Sequence, residues 1–238
     1  MKKYHIIISV LLLLFVTQTQ AQIDEFNKYS REVLTASVYN GKVDYKVLAK
    51  NPTNLNNVID ALKYIQLQEL KGTEKKAFLI NTYNMLILHA IASNYPTTSV
   101  MKIPGFFDRK TFRIGEEDYT LNQLEKEILY KEFPDPQLHF ALVCGAVSCP
   151  PLGSKPFTAG NLESELKDVT RRALNSDKIV SLDMHEKTVT VSEIFDWYKA
   201  DFTKSGSTID FINMYRMDKI PSGISLNYAD YSWELNGK

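Results

Sequence analysis

Cysteine is almost missing from this chain of 238 residues, which holds 2, and histidine is scarce at 4. The two cysteines, Cys144 and Cys149, stand five positions apart, so the compact Cys-x-x-Cys knuckle of a structural zinc site is excluded. No glycine-rich phosphate loop and no internal repeat occur, which removes P-loop, dinucleotide-binding and solenoid architectures. An excess of one charge is lacking too: Lys+Arg 28 balances Asp+Glu 28. Nothing in the overall charge therefore argues for nucleic acid as a partner. Long polar tracts are absent, and with 44% hydrophobic and 24% charged residues the chain can bury an ordinary core.

The chain begins with Lys2 and Lys3, continues as an apolar run over residues 6–16, and reaches Thr19-Gln20-Ala21. A basic start, an apolar centre and small residues at the end make residues 1–21 a secretory signal peptide. The apolar run is shorter than the roughly 20 residues that span a bilayer, so no membrane span is expected after cleavage. The expected mature chain is one globular domain over 22–238, periplasmic or secreted, in an oxidising compartment.

An amphipathic segment over 23–48 breaks at Asn40-Gly41, and a second helical period carries Leu55, Val58, Ile59, Leu62 and Ile65. Residues 73–95 are the longest helix candidate, with Thr73 as cap, Glu74 in the first turn and Pro96 as the stop. From Ala77 to Ala92 this helix is apolar nearly all round, which marks it as central. Its polar exceptions share one broad sector: at 100° per residue Asn84 lies about 60° to one side of Asn81 and His89 about 80° to the other. Buried amides need partners, and tying down neighbouring loops is the plain role for Asn81 and Asn84.

Residues 111–114 and 117–120 predict a hairpin, 121–131 a helix, 161–174 an amphipathic helix, and 179–182 with 188–191 a second hairpin. Helices follow over 193–202, capped by Ser192, and over 208–215, and the aromatic stretch over 226–233 predicts a docked terminus. The densest chemistry lies at 139–152, His-Phe-Ala-Leu-Val-Cys-Gly-Ala-Val-Ser-Cys-Pro-Pro-Leu. Its first residues predict a strand buried on both faces, ending near Cys144, with Gly145 and the two prolines shaping a stiff loop around Cys149. The expected fold is α+β: one domain, mostly helical around a small sheet, with a buried central strand and a long apolar central helix.

This set of residues supports three chemistries. In the first, Cys144 is a nucleophile, His89 or His139 its base, Asn81 or Asn84 the orienting amide, and the Gly145 or Ala146 N–H an oxyanion donor. His89 is the preferred base, because on a regular strand His139 faces away from Cys144, though His139 can pair with Cys149 if the loop turns back. In the second, Cys144 and Cys149 are structural, as a disulfide or as inert thiols, and an aromatic groove binds a small molecule, peptide or glycan. The third, metal binding by His139, Cys144, Cys149 and distant His89, is the weakest; no metal and no cofactor are expected. His185 belongs to a hairpin tip at the surface.

Ala77-Phe78-Leu79-Ile80-Asn81-Thr82-Tyr83-Asn84 with His89, followed by His139-Phe140-Ala141-Leu142-Val143-Cys144-Gly145-Ala146 and Ser148-Cys149-Pro150-Pro151-Leu152, resembles domain-of-unknown-function family 547. Ile194-Phe195-Asp196-Trp197-Tyr198, Asp201-Phe202 and Tyr231-Ser232-Trp233-Glu234-Leu235-Asn236 extend the resemblance, to an exported bacterial member. The resemblance implies an identity and no reaction. The mechanistic expectation is therefore a thiol-dependent hydrolase or acyltransferase acting on an envelope or extracellular amide or ester, with a non-catalytic binding module as the alternative.

Overall fold

A computed structural model describes residues 2–237, with side chains described over 20–237. The expected leader thus lies outside the residues with described side chains, apart from Gln20 and Ala21. Among the described residues no helix is long and apolar enough to cross a membrane.

Helix α1 (Lys2–Ser37) leads into a minimal hairpin, β1 (Val38–Tyr39) and β2 (Lys42–Val43), turned by Asn40 and Gly41 at φ 50° and 77°. That positive-φ pair is what an Asn-Gly hairpin turn requires. Helices α2 (Tyr45–Lys50) and α3 (Thr53–Leu62) follow, and both pack on α4 (Gly72–Ala92). Helix α4 is buried on nearly every side, as its unbroken apolar character demands. Its start differs slightly from expectation: Lys71, extended and without a side-chain cap bond, precedes the first turn, and Thr73 lies inside the helix.

Strands β3 (Thr111–Ile114) and β4 (Glu117–Thr120) pair antiparallel where their alternating pattern placed them. The next segment is helical, but Gln123–Leu129 is wound as a π-helix before α5 (Tyr130–Glu132). Helix α6 (Leu138–Ala141) then delivers the chain to the cysteine loop, and α7 (Leu162–Leu174) packs against α6. Strands β5 (Val180–Asp183) and β6 (Thr188–Ser192) form the second hairpin. Short helices α8 (Ile194–Trp197), α9 (Lys199–Phe202) and α10 (Thr208–Tyr215) follow, and β7 (Ser225–Ala229) joins β6 in parallel. The molecule is α+β, helical with small separate sheets, and one hydrophobic cluster extends from Ile23 to Ile220.

The buried central strand is the expectation that fails. Leu138–Ala141 is a helical turn, and residues 142–144 run on without joining any sheet. A short run of continuous apolar residues carries no period that separates strand from helix. Here the Asp135 side chain accepts the Gln137 N–H at 2.9 Å and the Asp135 carbonyl accepts the Leu138 N–H at 3.1 Å, which starts a turn. Beyond the turn a side chain does the work of a neighbouring strand. The Asn84 amide donates to the Ala141 carbonyl and accepts the Val143 N–H, both at 2.9 Å. Buried backbone groups need partners from somewhere, and α4 supplies them.

Candidate functional site

Asn81, one helical turn before Asn84, makes the same two-point clip on the loop after the cysteines. Its amide donates to the Phe157 carbonyl at 2.7 Å and accepts the Phe157 N–H at 2.9 Å. Both asparagines therefore hold loops, and α4 positions the cysteine segment from both sides. Gly145 completes the seating. Its φ is 80°, and a Cβ there would come within 2.4 Å of Ile91 Cδ1 on α4, so a left-handed residue without a side chain is needed. The chain terminus braces the same loop: the Asn236 N–H donates to the Gly145 carbonyl at 2.9 Å and the Val147 N–H to the Glu234 carbonyl at 2.7 Å. This pairing carries Tyr231 and Trp233 across the cysteines.

Beneath that strap lies a cavity of about 470 Å³ whose walls include Cys144, Cys149, His139, Glu125, Trp197 and Tyr231. Both cysteines are free, Cys144 half-buried and Cys149 buried. The Cys144 sulfur lies 3.0 Å from the Tyr231 hydroxyl, and its own N–H donates to the Cys149 sulfur at 2.9 Å. A hydrogen bond from Cys149 holds the Cys144 thiol below its ordinary pKa; burial opposes this, and Tyr231 and the Ala146 N–H assist it. Burial pushes Cys149 the other way, well above the ordinary thiol value. Of the two sulfurs, Cys144 is the one prepared to ionise.

The two histidines separate. His139 shares the cavity with Cys144, but both of its ring nitrogens are engaged: Nδ1 with the Tyr130 hydroxyl at 2.7 Å and Nε2 with Asp201 Oδ2 at 3.0 Å. Burial lowers its pKa to about 4 despite the Asp201 carboxylate. A neutral ring that donates from Nε2 to Asp201 and accepts the Tyr130 O–H at Nδ1 satisfies every atom. Asp201, against the cost of its own burial, is held below the usual carboxylate range by hydrogen bonds from Lys204 and His139. His89 is absent from the cavity wall. It packs edge-on against Phe112 of β3, and its buried Nδ1 has no hydrogen-bond partner. The preference for His89 as base is thereby reversed, because α4 turns its far end toward the hairpin while Asn84 faces the cysteine segment. His185 is exposed at its hairpin tip, beside Glu186.

Several residues at the site carry no signal that a motif search would catch. Glu125 enters through the π-helical turn. In an α-helix residues five apart diverge by about 140°, whereas i→i+5 bonding stacks them. The Tyr130 N–H donates to the Glu125 carbonyl in that pattern, and both side chains reach the cavity. The Glu125 carboxyl accepts the Tyr198 O–H at 3.1 Å and is also hydrogen-bonded by Tyr83. Burial raises its pKa above the ordinary carboxyl value, and those two hydroxyls oppose the shift. At the rim, Trp197 stacks on Trp233 with ring centres 5.9 Å apart, and Tyr231 lies within 5 Å of both. Phe202 is buried in the core, whereas Trp197 is 44% exposed.

Among the described residues no group of three or more His, Cys, Asp or Glu side chains is placed to hold a metal ion. The expected oxyanion donor at Ala146 is turned toward the Cys144 sulfur. The site therefore presents a cysteine whose thiolate is favoured by hydrogen bonds rather than by an adjacent imidazole, facing an aromatic cavity with one half-buried carboxyl.

No curated protein and no solved structure matches the chain. A family model, described as a protein of unknown function, DUF547, matches residues 67–173, so the motifs at 194–202 and 231–236 lie beyond the matched stretch. The stretch that matches the DUF547 family model contains Glu125, His139 and both cysteines.

Proposed function

We propose that the cavity is a thiol-dependent acyl-transfer site, a hydrolase or acyltransferase for a small ester, thioester or amide, in which Cys144 is the nucleophile. The observation that carries this reading is the pairing of a free, half-buried Cys144 with the Tyr231 hydroxyl and the Ala146 N–H at the wall of the cavity. Hydrogen bonds to sulfur favour the thiolate, which is the reactive form. Attack of Cys144 Sγ on the acyl carbon forms a thioester and releases the alcohol, thiol or amine, which takes the proton given up by Cys144. Water or a second acceptor then cleaves the thioester and returns the thiol. Asn84 is a positioning residue in this scheme, because it fixes the backbone at 141–143. The leader expected over residues 1–21 supports a reaction in the periplasm or outside the cell.

The test is labelling of the folded protein. Iodoacetamide at neutral pH should modify Cys144 and spare Cys149, and small ester and thioester probes should add an acyl mass that Cys144→Ser does not acquire. A folded chain whose Cys144 resists both reagents loses the reading. A second reading, a binding module with inert thiols, draws on the stacked Trp197, Tyr231 and Trp233 at the rim; it predicts ligand-dependent tryptophan emission with no acylation.

A further inference from the structure

Glu125 is a carboxyl drawn into an aromatic cavity where, among the described residues, no cation forms an ion pair with it. Its two hydrogen bonds come from neutral tyrosine hydroxyls, those of Tyr83 and Tyr198. Lys126, the next residue, also reaches the cavity wall and exerts a through-space pull, yet it is exposed and makes no ion pair with Glu125. The other titratable groups there do not supply positive charge: His139 is held neutral, and the two thiols are neutral or anionic. A carboxylate surrounded by protein is costly unless a partner of opposite charge or several hydrogen bonds meet it. The rings nearby, Tyr83, Tyr198, Trp197, Tyr231 and Trp233, present negative faces that also attract cations. An anion entering this space would meet Glu125 and the Cys144 sulfur together, and a neutral ligand would leave the carboxylate unmatched.

We infer that the cavity receives an organic ammonium group, seated between Glu125 and the tyrosine and tryptophan rings, as part of a substrate whose acyl carbon lies toward Cys144. This rests on the acyl-transfer reading for the position of the acyl carbon, but the ammonium site itself needs no thiol chemistry. The winding of Gln123–Leu129 supports it independently, since a π-helical stretch is an uncommon departure that often marks a functional site and here turns Glu125 and Tyr130 into the same cavity.

The chain's two tryptophans, Trp197 and Trp233, both stand at this cavity, so their emission reports on it directly. The experiment titrates the full chain carrying Cys144→Ser with choline and, separately, with its uncharged isostere 3,3-dimethylbutan-1-ol. Choline should change the emission and bind about tenfold more tightly than the alcohol. Glu125→Gln, checked for an unchanged melting profile, should abolish that preference. Equal affinity for the two probes, no response to choline, or a preference that survives Glu125→Gln would each overturn the inference. Should Glu125→Gln fail to fold, the contrast is read in Trp197→Leu with Trp233 as reporter: a reduced choline preference supports the site, and an unchanged one rejects it. Because every arm reads binding in a chain without the Cys144 thiol, its outcome is separate from that of the labelling test.

Discussion

The region around His139 and the region around His89 lie on either side of the same central helix and treat the same side chain in opposite ways. Both rings are withdrawn from solvent, and burial lowers both pKa values. Around His139 each ring nitrogen has a partner and the ring borders a cavity; around His89 the buried Nδ1 has none and the ring meets Phe112. The difference lies in what the neighbouring elements bring. Helices α5 and α9 supply Tyr130 and Asp201 to one, whereas β3 supplies a phenyl ring and Lys110, just before it, a positive charge to the other. A polar side chain on an apolar helix thus marks a need for partners, and only its surroundings decide whether that need is met.

The sharpest way to break this contrast is at Asn84, the polar residue of α4 that serves the cavity side. Asn84→Ala leaves the Ala141 carbonyl and the Val143 N–H without their partner, at about 1–3 kcal/mol each, so chemical denaturation should show a loss of about 2–6 kcal/mol. Cys144 labelling should slow in the same variant. Asn81→Ala should lose comparable stability through Phe157 while leaving the labelling rate unchanged.

Next in size is the pH dependence of folding. His139 is neutral in the folded chain down to about pH 4, whereas in the unfolded chain it takes up a proton from about pH 6.5. The unfolded state therefore binds more protons in that window, and stability, complete above it, falls as the pH drops through it, by about 3 kcal/mol. Urea midpoints measured across this range should fall steeply in the native chain and more shallowly in His139→Phe. A native-like slope in the variant would place the titration elsewhere.

A smaller effect is expected at Tyr231. Removing the hydroxyl with Tyr231→Phe takes one stabilising hydrogen bond from the Cys144 thiolate, which raises the thiol pKa and slows alkylation at neutral pH by about threefold to tenfold. The smallest effect belongs to His89. Because its buried nitrogen already lacks a partner, His89→Leu should change stability by less than about 1 kcal/mol or raise it, and should leave Cys144 labelling untouched.

Much of the architecture was legible in the chain. The hairpin at 111–120, the helices at 162–174 and 208–215, and the Asn-Gly turn follow from alternation, helical period and turn chemistry, which are local properties. The loop-holding role of Asn81 and Asn84 was legible too, since buried amides on an apolar helix require backbone partners. One element was misread and another was read only in outline. Residues 139–144 look like a strand because nothing in the five apolar residues after His139 opposes it, and 121–131 reads as a helix without showing its π winding, because winding by five leaves no mark on so short a pattern. At 141–143 the backbone partners come from the Asn84 side chain of a distant helix rather than from a neighbouring strand.

Residue order by itself determined most of the elements, the central place of α4 and the concentration of chemistry at Cys144 and Cys149, because each depends on neighbours in the chain. Tertiary structure alone decided which histidine shares a cavity with the thiols, that Tyr231 reaches the Cys144 sulfur across 87 positions, and that a half-buried Glu125 is held between tyrosine hydroxyls. Those outcomes turn on the direction in which side chains leave separate elements once a common core is packed, and no local pattern encodes that direction.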